Sequence, residues 1–409
     1  MMTRRIETLL RLWLFSICIF TLIGNAASDI WLTGTVVLFI GHSVMHGNTQ
    51  WLSFRWFQIA LIFWIWIIVA SLLSSWPVHS LEDSAGWIRF PLFALALSYF
   101  LEYVPGARRY VLVALCVGLA VMLGSMLHEK ILDPSKVRLY GTWNQNTKAG
   151  WLMLGFGLPV SFWALKKVLE NTRSAFWALP LVAMLLSSAI LTGEVYVSIE
   201  FIFGLALFLL ASGMRRNVLI SVLVICFALV VLVFVLDPEL VRRFQVSIVK
   251  RLPWMSTSDY YVPWMRGFMA GEMHPVFGIG PKNHQLFCTS TEALRGLSKT
   301  VCYPHPHNLY IQIFAETGAI GLLLFLAMVV AIFAQVLNGA KRRHEMSREV
   351  IAALCILIAI LWPISTYSHA FGQHKNFFTW LNIAWALYLA GQFKTTSRGE
   401  AASEEQKAG

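Results

Sequence analysis

Apolar stretches of span length recur from one end of the chain to the other, and no soluble fold can hide so many of them. Bounded by charges, Pro/Gly or amide clusters, they fall near residues 8–25, 30–45, 57–75, 87–102, 110–127, 148–165, 176–192, 196–212, 217–236, 307–338, 349–366 and 377–393. A stretch of about 20 apolar residues crosses the hydrocarbon core as a helix, because backbone polar groups there must satisfy one another. The composition agrees: 57% hydrophobic against 13% charged, about half the charged share of a soluble domain. The prediction is an all-α integral membrane protein of about twelve transmembrane helices. Residues 1–236 hold spans one to nine, 237–306 form one long loop between spans nine and ten, 307–393 hold spans ten to twelve, and 394–409 form a polar tail.

Lys and Arg alternate between the connectors. Arg4/Arg5, Arg55, Arg108/Arg109, Lys166/Lys167/Arg173, Arg215/Arg216, Lys341/Arg342/Arg343/Arg348 and the tail fall on one side, which the positive-inside rule makes cytoplasmic. Both termini are then cytoplasmic and the long loop lies outside. The N-terminus imitates a signal peptide, with Arg4/Arg5 before an apolar stretch ending in Gly24-Asn25-Ala26-Ala27-Ser28; it reads as an uncleaved first span. Most of the net charge of +11 is therefore a topology signal, and nothing in its placement points to nucleic acid.

The long loop is where chemistry is expected, since a connector of that length is a functional element or a small domain. Its eight basic residues outnumber its five acids, which suits phospholipid headgroups or a lipid-linked phosphate. Cys288 and Cys302 share it, on the oxidising side; bridging them closes a loop of roughly 15 residues, worth about 3 kcal/mol by chain-entropy arithmetic. That staple would sit just before His305 and His307. The other four cysteines lie in spans and read as small hydrophobes.

Tyr303-Pro-His-Pro-His-Asn-Leu-Tyr-Ile-Gln312 marks the entry of the loop into span ten. Asn308, Gln312 and Glu316 recur every four residues, forming a polar stripe on an otherwise apolar helix. An intramembrane Glu costs about 2.5–3.5 kcal/mol to insert, so Glu316 is a candidate by default. His307 is the best candidate base, having an ordinary pKa near neutrality and a position at the membrane–water boundary beside His305 and Asn308. Arg266, in an apolar stretch closed by Gly278-Ile-Gly280, offers a planar fork of donors suited to a phosphate. Arg89 reads more readily as a snorkelling residue, while Arg138, Asn144, Asn146 and Lys148 line an external strip before span six. No HExxH, CxxC pair or acidic triplet is present, so no metal site and no cofactor are expected.

The sequences HPHNLYIQIFAETGAIG, WMRGFMAGEMHPVFGIGPKNHQ and, more loosely, GTWNQN resemble the O-antigen ligase and polymerase superfamily of bacterial inner-membrane glycosyltransferases. That resemblance implies a GT-C-like fold with its periplasmic loop late in the chain and a metal-independent, inverting transfer of O-antigen from undecaprenyl pyrophosphate to lipid A-core. It also implies His307 as general base, Arg266 on the pyrophosphate, and Arg89, Arg138, Asn146, His305 and Asn308 as further binding residues. The sequence departs from the family at Leu191-Thr-Gly-Glu-Val-Tyr-Val-Ser198, where Glu194 and Val195 stand in place of an expected Arg. A second clamp is then missing or comes from Arg89, Arg138 or Lys148. The alternatives are a polymerase using the same donor, a protein O-oligosaccharyltransferase and, from another class, a transporter, for which symmetric interrupted helices would be expected.

Overall fold

The computed structural model describes residues 4–141, 148–250, 252, 254–298, 301–342, 347–365 and 369–393. Among them there are helices, turns and loops and no strand. In chain order the α-helices are α1 (Arg4–Phe15), α2 (Ile17–Ile23), α3 (Asn25–Met45), α4 (Arg55–Leu72), α5 (Pro77–Ser84), α6 (Arg89–Tyr103), α7 (Ala107–Leu132), α8 (Lys148–Glu170), α9 (Ala175–Leu191), α10 (Val195–Ala211), α11 (Arg216–Leu236), α12 (Pro238–Lys250), α13 (Tyr261–Met273), α14 (His284–Ser290), α15 (Glu292–Gly296), α16 (Leu309–Arg342), α17 (Arg348–Ile360) and α18 (Gln373–Leu389).

Nine helical segments among the described residues are long and apolar enough to cross a membrane. They cover the first seven predicted spans, the ninth and the tenth. The other three predicted spans fall on the shorter helices α10, α17 and α18. The innermost helices are α6, α8 and α18: α18 packs on α6 and α8, α8 on α9, and α16 on α4. Trp31, Phe93 and Phe377 meet in the middle of this packing, with ring centroids 5.8–6.1 Å apart. Helix α11 is the counterexample, with only Val222 buried, as expected of a helix that faces lipid on most sides.

The predicted tenth span is not one continuous helix. At Gly318 the backbone turns to φ 71°, ψ −174°, and the loop after α13 enters the break. The Ile279 N–H donates to the Ala315 carbonyl (3.0 Å), the Gly280 N–H to that of Glu316 (3.0 Å), and the Ala319 N–H to that of Pro275 (2.7 Å). A Cβ on Gly318 would stand 2.1 Å from the Val276 oxygen, and one on Gly278 would stand 2.3 Å from the Glu316 backbone. Only glycine permits both the left-handed turns and this contact of backbone on backbone. The Gly278-Ile-Gly280 turn is thus a lock on a broken helix.

Candidate active site

The segment before the break, Leu309 to Thr317, is a platform fixed on three sides. Asn308 caps it: the side-chain oxygen accepts from the Tyr310 and Ile311 N–H groups (both 3.0 Å), and its amide donates to the carbonyls of Pro363 (2.7 Å) and Ser365 (3.2 Å). Gln312 accepts from the Ala370 N–H (2.9 Å) and donates to Glu316 (3.1 Å). The predicted polar stripe is therefore buried and ties the platform to the connection between α17 and α18. On another side lies α13, held close by two glycines four residues apart: a Cβ on Gly267 would meet Ile311 and Pro306, and one on Gly271 would meet the Phe314 ring.

Close packing of α13 buries Arg266 to 1% exposure. Its Nε donates to the Leu294 carbonyl (2.9 Å), Nη1 to Val301 (3.0 Å) and Nη2 to Ser298 (3.1 Å). Those three carbonyls belong to the segment closed by the Cys288–Cys302 disulfide, whose Cα atoms are 5.8 Å apart. His284 adds a fourth tie, its Nδ1–H donating to the Tyr303 carbonyl (3.0 Å). Burial lowers the His284 pKa to about 4, so the ring is neutral at pH 7. Arg266, expected from the resemblance to hold a pyrophosphate, here donates to three backbone carbonyls of the stapled segment.

His307 follows this stapled segment directly. Its backbone is left-handed, φ 58°, one of two described non-glycine residues with positive φ, a conformation that strains a residue bearing a Cβ by about 1–2 kcal/mol. Its N–H donates to His305 Nδ1 (3.1 Å). Around its half-buried ring stand Tyr303, Tyr260 and His305, with centroids at 5.2, 5.6 and 4.4 Å. The His369 ring packs 4.1 Å from His305, and His369 Nδ1 accepts from the Phe371 N–H (3.1 Å). Burial first, then neighbouring positive charge that includes Lys375, holds His305 and His369 well below the ordinary imidazole value. Both are neutral, and accepting at Nδ1 leaves their protons on Nε2. His307 is thus set against neutral imidazoles and tyrosines by a backbone geometry that no periodicity could reveal. Tyr260 and His369 join this cluster from distant parts of the chain.

Arg138 lies elsewhere and is held differently. Glu129, near the end of α7, accepts the N–H groups of Tyr140 (2.9 Å) and Gly141 (2.8 Å), and the Leu139 N–H donates to the Thr192 carbonyl (3.1 Å). A Cβ on Gly193 would stand 2.1 Å from the Val137 oxygen, so the α9–α10 turn and the strip after α7 touch backbone to backbone. This brings Arg138, 36% exposed, into an ion pair with the buried Glu194. Arg138, from a strip distant in sequence, thus stands opposite the acid of the α9–α10 turn. Arg243 donates to the carbonyl of Gly193 in the same turn (2.7 Å), and Lys375 acts electrostatically with Glu194, Glu200 and Arg138. Arg89 pairs with Asp29 (3.0 Å) and donates to the Gly86 carbonyl (3.0 Å). Asn144 and Asn146 lie outside the described residues, as does the Lys148 side chain.

Residues 195–326 match the family model described as O-antigen ligase. That segment is similar to the O-antigen ligase family. No curated protein matches the chain. The matched segment begins at the first residue of α10, takes in α13, the stapled segment, His307 and the break at Gly318, and ends inside the second half of α16. Arg138, Glu194 and His369 fall outside it. The family is one of ligase- and polymerase-type enzymes acting on lipid-linked polysaccharide in membranes.

Proposed function

We propose that the chain ligates O-antigen from undecaprenyl pyrophosphate onto lipid A-core at the periplasmic face of the bacterial inner membrane, with twelve spans, both termini cytoplasmic and residues 237–306 as the periplasmic loop. His307 carries this reading: a strained, half-buried imidazole, at the mouth of the platform in the family-matched segment, is what a positioned general base requires. In the reaction the acceptor hydroxyl loses its proton to a His307 ring nitrogen while its oxygen bonds to the anomeric carbon. The bond from that carbon to the pyrophosphate oxygen breaks, the electron pair leaves with undecaprenyl pyrophosphate, and the anomeric centre inverts. Cations need only balance charge on the departing pyrophosphate. Arg138 is our candidate for that task, being about a third exposed and paired with a carboxylate that phosphate oxygens can displace. His305 and Asn308 act by holding His307 and its loop, and Arg266 by holding the stapled segment.

Replacing His307 with Ala lowers transfer by at least 100-fold while the protein accumulates normally in the membrane. The readout is lipopolysaccharide banding in a deletion strain complemented with the variant. Core bands with polymer stranded on the carrier are expected; retained smooth lipopolysaccharide sinks the assignment, and core bearing single repeat units reassigns the chain to polymerisation.

A further inference from the structure

At the end of the bundle opposite His307, α7 and α8 leave an open groove of about 620 Å³. Its mouth carries Arg108 and Arg109 from the start of α7 and Lys166 and Lys167 from the end of α8, while Trp163 and the α7 wall from Leu112 to Ala120 line its depth. Lys166 pairs with Glu349 and Glu170, and Lys167 with Glu170. Among the described residues neither Arg108 nor Arg109 has an ion-pair partner. Four cations against two carboxylates leave two positive charges at the top of an apolar slot. A second groove of about 480 Å³ shares Arg109 and Val113 and runs along α1, between Leu12 and Phe15.

We infer that this groove is a binding site for one anionic phospholipid of the adjoining leaflet, its headgroup phosphate on Arg108 and Arg109 and its acyl chains in the two slots that meet at Arg109 and Val113. Three observations favour a phospholipid. From Arg109 to Ala120 the wall runs eleven residues, about 16 Å at 1.5 Å per residue, which is one leaflet of a hydrocarbon core about 30 Å thick. The slot is apolar to its floor, so a free phosphate or sugar phosphate would leave it unfilled. The fork of an arginine matches phosphate oxygens, and the two slots that flank α7 give two chains separate places. Arg108 and Leu132 stand about 36 Å apart along α7, so the site is separate from the transfer site and does not depend on the reaction proposed there.

The test uses the full chain in detergent, and Cys116, which lines the groove, as reporter. Added phosphatidylglycerol should slow alkylation of Cys116 by N-ethylmaleimide at least fivefold, leave Cys226 unchanged, and raise the melting temperature. Phosphatidylcholine of the same chain length should do neither, and the protection should weaken with salt. R108Q/R109Q should need at least tenfold more phosphatidylglycerol for the same protection while melting without lipid as the wild type does. Native mass spectrometry of the wild type with equal amounts of the two lipids gives headgroup selectivity without any variant. Equal protection by both lipids, an unchanged requirement in a folded R108Q/R109Q, or protection by inorganic phosphate alone overturns the proposal, as does preferential protection by undecaprenyl phosphate.

Discussion

Arg266 and Arg138 were both candidates for the same task, and the fold treats them in opposite ways. Arg266 is buried, and its guanidinium meets three backbone carbonyls within one disulfide-closed segment. Arg138 is about a third exposed and faces a side-chain carboxylate across the junction of two turns. Carbonyls fixed in a loop cannot move away for a ligand, whereas a carboxylate can be exchanged for a phosphate oxygen without leaving an orphaned backbone group. We read the first arrangement as architecture and the second as a place for a ligand. An arginine in a basic connector is thus not a phosphate clamp by residue type alone; what its donors already hold decides.

The largest effect expected from this contrast is on folding. Arg266→Ala leaves three buried carbonyls without a donor and should cost about 3–5 kcal/mol. The segment around residues 291–301 should then be cut rapidly by protease, and Arg266→Lys should fail to rescue it because one ammonium cannot reach three divergent acceptors. If the alanine variant is as protease-resistant as the wild type and only donor binding suffers, the assignment of the two arginines is reversed.

The same region should respond to acid. His284 is held neutral, chiefly by burial, with a pKa near 4 in the folded protein against about 6.5 when exposed. Its folded pKa is depressed, so the contribution is fully present above about pH 6.5 and is lost as pH falls from there toward 4. Hydrogen exchange in the Leu294–Tyr303 region should accelerate through that window, and His284→Gln should flatten the response. No change in exchange between pH 7 and 4.5 would detach His284 from the staple.

Arg138→Ala should act on substrate: a rise of about tenfold in the donor KM with partial recovery by Lys, together with a lower melting temperature because the buried Glu194 loses its ion-pair partner. Arg89→Ala, which breaks a partly exposed pair worth at most about 1 kcal/mol, should change donor KM less than threefold. Equal effects at Arg89 and Arg138 would remove the special standing of the pair with Glu194.

Much of this was legible in the chain. Span-length apolar runs announced a helical membrane protein, and all twelve fall on helices, although three of those helices are short. Two cysteines in one long connector announced their own pairing, since the other four sit in apolar runs. The stripe of Asn308, Gln312 and Glu316 was legible as a pattern but not in its meaning: the spacing showed one face of a helix, and only the neighbouring connection showed that the face is buried and tied. The break at Gly318 was hidden because glycine inside an apolar run is compatible with a continuous helix until another backbone arrives to fill the gap.

The sequence by itself determined the class of molecule, the long loop late in the chain and the residue types available for proton transfer and charge balance, because hydrophobicity and chemical identity belong to residues one at a time. Only the tertiary structure decided which arginine is buried against carbonyls, which one reaches Glu194, and that His307 is bent into a left-handed backbone beside His305 and His369. Those facts depend on which donors meet which acceptors across separations such as the 56 residues between Arg138 and Glu194, and no local pattern in the chain records them.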